Sequence, residues 1–258
     1  MTAWNPDTYL RFESERTRPA SELLARVPLD APSLVYDLGC GPGNSTRLIA
    51  QRWPTARLVG VDRSPDMLRR ATQSGVAAEW LEADIAEWQP AEPPGLIFSN
   101  ATLQWLPNHS ALFDRFMEVL PTGGALAVQM PRNFTSASHT IIQHVVETGP
   151  WAERLMPLKD FNPVARPEDY YARLADRAES IDVWETEYVH VLRGEDAVYH
   201  WIKGTALTPY LDALAGRELD DFVTQLKERL GAAYRRRANG VTLFPFRRLF
   251  LVALKGGA

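Results

Sequence analysis

The stretch VYDLGCGPGNST, Val35 to Thr46, is a short apolar run ending in Asp37 and Leu38, followed by glycines at alternate positions 39, 41 and 43 and by polar residues suited to open a helix. Glycine allows backbone angles and a close approach that a β-carbon forbids, and a helix opening near Asn44 presents free amides. Several ligands suit such a turn, and spacing sorts them. A dinucleotide loop carries G-x-G-x-x-G, with its third glycine three positions after the second; here the order is G-C-G-P-G, and Pro42 stiffens the turn. A phosphate loop carries G-x-x-x-x-G-K followed by Ser or Thr, and Gly39 to Asn44 holds no lysine. Both phosphate readings lose ground.

Outward from this loop, Ser33 to Met130 alternates short β-rich runs (SLVYDLG, ARLVGVD, AAEWLEAD, GLIFSN, ALAVQM) with helix-like segments, the pattern of βαβ units around a parallel sheet. NSTRLIAQRW and SPDMLRRATQS begin with capping residues, and HSALFDRFMEVL spaces Leu112, Phe116, Val119 and Leu120 at helical intervals. Right-handed crossovers between such strands give an open doubly wound sheet, whose ligands sit at the carboxyl ends of the strands near the switch point. After Met130 the rhythm breaks. Pro131 to Arg177 reads as loop and helix, Ser180 to Leu192 as a β-rich run, Asp196 to Arg237 as a second helical block, and FPFRRLFLVALK as a last strand. The expected fold is α/β, Rossmann-like and doubly wound, with a seven-stranded mostly parallel sheet and helical cap insertions. One domain over 1–258 is expected, its core at about 30–130, 180–192 and 244–255 and its cap insertions at about 131–179 and 193–243.

Composition removes several function classes. With 28 basic and 32 acidic residues and a net charge of -4, the chain has no electrostatic footprint for nucleic acid. Its densest basic run, Arg235 to Arg237, reads as a solvated face complementing the negative end of a helix dipole. The N-terminal stretch is charged throughout, without a signal-peptide core, and no later apolar run approaches membrane-spanning length. A soluble, cytoplasmic protein with no nucleic-acid or membrane partner is expected. Cys40 is the only cysteine, which excludes an internal disulfide and a cysteine-rich zinc site, and no metal is expected. With no histidine near it in sequence, Cys40 reads as a small residue tolerated in a tight turn rather than as a nucleophile.

The D-L-G-C-G-P-G run resembles the first motif of the class I, Rossmann-like S-adenosylmethionine methyltransferases. The resemblance implies that the loop packs against the amino acid part of that cofactor, with Asp37 ordering the loop and meeting the cofactor's ammonium. The rest of the family's pattern follows in order along the chain. Asp62, in LVGVDRSPDML, stands 19 residues after Gly43, where the resemblance implies a carboxylate on both ribose hydroxyls, with Arg63 and Met67 beside it. Asp84 and Ile85, in LEADIAEW, are implied to meet the adenine amino group and ring, and Asn100, closing LIFSN, to lie beside the methionine moiety. Singly, Asp62 could cap the next helix and Asp84 a turn before Trp88. Together, spaced at successive strand ends, they favour the cofactor. Ribose recognition by an acid also fits NAD, so hydride transfer is the surviving rival, without the glycine spacing or an evident proton relay.

Fold alone does not choose the methyl acceptor. The fourth run ends S-N-A-T-L-Q-W, without the proline-proline-aromatic clamp of amino-methylating nucleic-acid enzymes, and with the acidic balance this points to a small substrate. WNPDTYLRFESERTRPASELLARV, FSNATLQWLPNH, QMPRNF, WIKGTALTPYL and LFPFRRLFLVAL together are similar to the trans-aconitate 2-methyltransferase family. That resemblance implies a monomethyl ester on one carboxylate of trans-aconitate, with S-adenosylhomocysteine as the other product. A carboxylate is already an anionic nucleophile at neutral pH, so no general base, and no catalytic residue in that sense, is expected. A small-molecule polycarboxylate then needs bidentate arginines for its remaining carboxylates. Candidates are Arg132 in MPRNF, Arg16 and Arg18 near the N-terminus, and Arg247 or Arg248 in the last strand, where alternation lets only one face a pocket and Arg247 is favoured. Trp105, Tyr171, Trp201 and Tyr210 are candidate walls, core packing being the commoner role of such residues. His190 reads as structural, Lys203 as a helix end as readily as an anion site, and His200 has no partner identifiable in sequence. The same fold acting on another small acid or metabolite, and a non-catalytic cofactor-binding protein, stay open as alternatives.

Overall fold

The computed structural model describes residues 13–106, 108–158 and 164–257, the side chains of 13–16 excepted. Two compact units divide the chain. The larger is made of Ser14–Arg132, Asn162–Thr186 and Arg248–Ala258; the second comprises Met1–Glu13, Asn133–Phe161 and Glu187–Arg247. Residues 164–179, expected within the first cap insertion, thus group with the sheet.

The strands are β1 (Leu34–Leu38), β2 (Arg57–Asp62), β3 (Glu79–Glu82), β4 (Leu96–Asn100), β5 (Ala125–Pro131), β6 (Ala178–Arg193) and β7 (Val241–Lys255), in the order β3-β2-β1-β4-β5-β7-β6. β1 to β5 pair in parallel, and β7 runs antiparallel to β5. β1 is buried at every position and β4 and β5 at all but their last, because helices cover both faces of such a sheet; that is why these strands read as nearly unbroken apolar runs. The order reverses between β1 and β4, which makes their carboxyl ends the switch point.

Helices Asn44–Arg52, Pro65–Gln73 and His109–Val119 follow β1, β2 and β4. The second has the strongest start signal: Ser64 Oγ accepts the Met67 amide and Pro65 occupies the first turn. A helix at Glu13–Ala25 lies ahead of β1.

In the second unit the helical block breaks into Ala197–Lys203, Thr208–Ala213 and Gly216–Ala233. Lys203 closes the first of these ahead of Gly204, so it is a helix end. The Arg235–Arg237 triplet lies beyond the last helix, not in its final turn, which corrects the helix-dipole reading. The chain has already left the helix there to turn into β7: Arg237 N–H donates to Val241 O, Arg236 Nε donates to Gly240 O, and Gly240 takes φ +80. Trp151, Phe222, Leu226, Trp201, Tyr210 and Phe244 belong to one buried cluster, so Trp201 and Tyr210 are core residues of this unit. His190 packs there as well, its ring 4.3 Å from Trp201 and 5.6 Å from Phe246. No described helix is long and apolar enough to cross a membrane.

Candidate functional site

The carboxyl ends of β1, β2 and β4 meet around the glycine loop. Gly39, Gly41 and Gly43 all take positive φ, at +74, +54 and +90. The first of them folds the loop back over β2, where Gly39 N–H and Cys40 N–H both donate to Val61 O at 2.7 and 3.1 Å. A β-carbon at Gly39 would stand 2.1 Å from Thr102 Cγ2, so two loops can touch here only over glycine. At Gly41 the same test finds nothing within 4 Å, so the tip of the loop opens onto free space.

Asp62 holds the loop from the side. Its Oδ2 accepts Gly41 N–H at 2.9 Å and its Oδ1 accepts Ser64 N–H at 2.9 Å. A carboxylate offers about four acceptor sites, so two remain for the paired hydroxyls of a ribose.

Asp37 is fully buried beneath the loop. Its Oδ2 accepts the hydroxyls of Ser45 and Thr46 at 2.7 and 2.6 Å, while Oδ1 has no hydrogen-bond partner among the described residues. Burial pushes the carboxyl up to about 6; the Thr46 and Ser45 hydrogen bonds oppose the shift and the Asp62 charge adds to it. Asn100 at the end of β4 likewise buries an Oδ1 with no partner among the described residues. The residue after it, Ala101, is held at φ +55, a left-handed conformation that alanine seldom adopts. Three bonds hold the turn: Ala101 N–H to Gln129 O at 2.9 Å, Gln104 Nε2 to Ala101 O at 2.8 Å, and Thr102 Oγ1 to Gly39 O at 3.2 Å.

These features fit the amino acid end of S-adenosylmethionine. Two buried acceptors without partners among the described residues match an ammonium, which has three donors and no acceptor. The open glycine tip lets a backbone-sized group approach.

Asp84 lies two residues past the end of β3, is exposed, and caps a turn by accepting Ala86 N–H at 2.8 Å. Arg115 pins this turn through the carbonyls of Ile85 and Ala86, both at 2.6 Å, and leaves Ile85 buried. Met67 is buried at the start of its helix, whereas Arg63 is exposed. Cys40 is buried, donates weakly to Gly41 O at 3.7 Å, and has its thiol pushed far above the ordinary range by burial, which suits the structural reading.

The substrate candidates are less gathered. Arg132 Nε donates to Ala165 O and its Nη1 pairs with Glu185, both at 2.8 Å. Arg18 is exposed and pairs with Glu22, and the Arg16 side chain lies outside the described residues. Arg247, favoured from the sequence, is 46% exposed and stands 3.6 Å from Glu187. The buried member of the pair is Arg248, only 4% exposed, whose Nη1 donates to Gln129 Oε1 at 3.4 Å. Alternation placed the two arginines on opposite faces, as expected, but the register of β7 on β5 turned the other one inward. Tyr171 likewise lies outward. It is 55% exposed, and helical period gives the buried position to Tyr170, whose Oη lies 2.7 Å from His109 Nε2. Trp105 is 48% exposed on the short turn Leu103–Trp105.

Ser45, Thr46, Thr102 and Gln129 were not singled out in the sequence. Gln129 carried a usable signal: it is the one strongly polar residue in the buried strand ALAVQM.

Comparison with known proteins agrees with this geometry. A family model described as "Methyltransferase domain" matches residues 35–124. A trans-aconitate 2-methyltransferase of Azoarcus sp. (strain BH72) is 46% identical, over 99% of this chain and 100% of its own length. One of Streptomyces coelicolor is 48% identical, over 98% of this chain and 86% of its own. Among solved structures, phosphoethanolamine N-methyltransferase 2 of Haemonchus contortus, in complex with phosphomonomethylethanolamine and S-adenosylhomocysteine, has a TM-score of 0.54. It is 16% identical and covers 93% of this chain and 53% of its own, a likeness of fold.

Proposed function

The chain belongs to the trans-aconitate 2-methyltransferase family, and on that premise we propose which of its residues carry the reaction. The protein is an S-adenosylmethionine-dependent methyltransferase that methylates trans-aconitate. When bound, the cofactor supplies a methyl group made electrophilic by its sulfonium.

The roles of the chain's own residues are as follows from their positions. Asp37 Oδ1 and Asn100 Oδ1 receive the ammonium of the cofactor's amino acid end, and the backbone at Gly39–Gly43 lies along it. Asp62, already fixed by two amides, accepts the ribose hydroxyls. The turn after β3 takes the adenine, with Ile85 against the ring and Asp84 at its amino group. Arg63 flanks the ribose from the surface, and Met67 supports the turn from below. The observation that carries this assignment is the pair of buried acceptors without partners at the switch point, Asp37 Oδ1 and Asn100 Oδ1.

On the acceptor side, the nucleophile is a carboxylate of the substrate, ionised at neutral pH, so the protein's part is to position it and keep water out rather than to remove a proton. Sulfonium and carboxylate are consumed together, and a dry site favours their neutral products over water. Of the arginines named for the acid, Arg132 follows β5 in the same unit as the cofactor loop and is paired with Glu185, so a polycarboxylate would exchange with that pair, with Trp105 as an exposed aromatic in the same unit.

Incubation with methyl-labelled S-adenosylmethionine and a panel of small acids tests the function. Label in a base-labile ester on trans-aconitate is the expected result. Label on a different acid alone, or cofactor binding without turnover, would overturn it in favour of another acceptor or a cofactor sensor.

A further inference from the structure

Register places more than the cofactor residues on one face of the sheet. Asp37 of β1 stands opposite Phe98 of β4, Asn100 lies two residues further along β4, and Asn100 is opposite Gln129 of β5. Gln129 is opposite Phe250 of β7, and Pro131 is opposite Arg248, two residues from Phe250. Side chains directly opposite one another share a face, as do residues two apart in a strand, so Asp37, Asn100, Gln129 and Arg248 form one polar row across the carboxyl end of the sheet. Adjacent strands lie about 4.8 Å apart and two residues along a strand span about 6.8 Å, which puts the Arg248 backbone about 12 Å from that of Asn100, within the reach of an arginine plus a small acid.

The chemistry of this row is uneven. Asp37 and Asn100 at its β1 and β4 end offer acceptors, Oδ1 in both, that lack partners among the described residues. On β5 the group without a partner among the described residues is a donor, that of Gln129. Gln129 is fully buried, its Oε1 is taken by Arg248 Nη1, and its Nε2 has no hydrogen-bond partner among the described residues. That amide leaves an N–H donor beside a guanidinium that is itself 4% exposed. An amide donor beside a buried positive charge matches a carboxylate.

Resting on the function proposed above, we infer that Gln129 and Arg248 bind a carboxylate of the acid substrate that is not the one methylated, and so fix the reacting oxygen relative to the cofactor held at Asp37 and Asn100. The cofactor's own carboxylate is the competing occupant. The row disfavours it, because the amino acid end belongs with the glycine loop at β1, and Arg248 is three strands away along the order β1-β4-β5-β7. Gln129 fixes the guanidinium through Oε1 and presents Nε2 to the same ligand, which makes it both a positioning and a binding residue.

Two variants test this. Arg248→Lys keeps the charge and loses the fork; Gln129→Glu keeps the acceptor for Arg248, so the buried arginine retains its partner, but sets an anion against the substrate. Each is expected to raise the KM for trans-aconitate about 10- to 100-fold, the range of a lost charge-assisted hydrogen bond. S-adenosylhomocysteine affinity by calorimetry should stay within about twofold of wild type, because no cofactor contact is removed. The preference for trans-aconitate over a dicarboxylic analogue lacking one carboxylate should fall about as much, an effect that a merely structural role would not produce. An unchanged KM in either folded variant overturns the inference, as does a lost S-adenosylhomocysteine affinity with the acid KM intact. Wild-type protein assayed alongside separates the two proposals: failure to esterify trans-aconitate refutes the function, whereas wild-type turnover with unaltered variants refutes only this site.

Discussion

Replacing Asp37 by asparagine should make the unliganded protein more stable at neutral pH and less able to bind its cofactor. The carboxyl is fully buried and its pKa is raised from 3.8 to about 6, chiefly by desolvation. The folded protein therefore holds this proton more tightly than the unfolded chain, so stability falls as pH rises from near 3.8 to near 6 and the whole penalty is present above that. A shift of that size corresponds to about 3 kcal/mol. Asparagine keeps one oxygen to accept from Ser45 and Thr46, so the two hydrogen bonds survive. Its amide nitrogen falls where Oδ1 had no partner among the described residues, at a cost of about 1 kcal/mol or more. The net gain at neutral pH is about 1–2 kcal/mol, and in acid the difference vanishes or reverses. Urea denaturation of the apo proteins between roughly pH 4.5 and roughly pH 7.5 should show the mutant-minus-wild-type difference growing by about 2 kcal/mol. Calorimetry should show weaker S-adenosylmethionine binding for the variant. A difference in stability that stays constant across that pH range would refute the buried-carboxylate account, whatever happens to binding.

Other outcomes follow from the same geometry. Asp62→Ala should weaken S-adenosylhomocysteine binding at least tenfold, because the Gly41 and Ser64 amides lose their shared acceptor along with the ribose contact; unchanged affinity by calorimetry would remove Asp62 from the site. Gly39→Ala should destabilise the fold by about 2 kcal/mol or more, since φ is +74 and Thr102 fills the space its methyl needs; a melting temperature equal to wild type would contradict the close loop contact. Cys40 should resist iodoacetamide in the native protein at mildly alkaline pH and react on denaturation, and prompt native alkylation would contradict the burial of its thiol.

The alternation of strands and helices and the glycine loop were legible from local sequence, because both rest on short-range patterns. A buried parallel strand must be apolar along its whole length, a left-handed turn must be glycine, and a helix start must carry a cap, so VYDLGCGPGNST and the SPDML start after Asp62 declared themselves residue by residue. Asp37, Asp62 and Asn100 stand at or next to strand ends and were singled out through the family resemblance. Other features were not local. Period two showed that Arg247 and Arg248 point to opposite faces, but which one turns inward depends on how β7 registers against β5, more than a hundred residues away in the chain. Likewise the choice between Tyr170 and Tyr171 depends on which helix face meets His109 and Phe113. That Asp37 is pushed up toward neutrality, and that Gln129 buries an unpartnered amide beside Arg248, are facts of desolvation, which no residue carries by itself. The sequence by itself therefore determined the architecture and the cofactor loop. The tertiary structure alone decided which charged and polar side chains lose their water, and through that which of them can recognise the substrate.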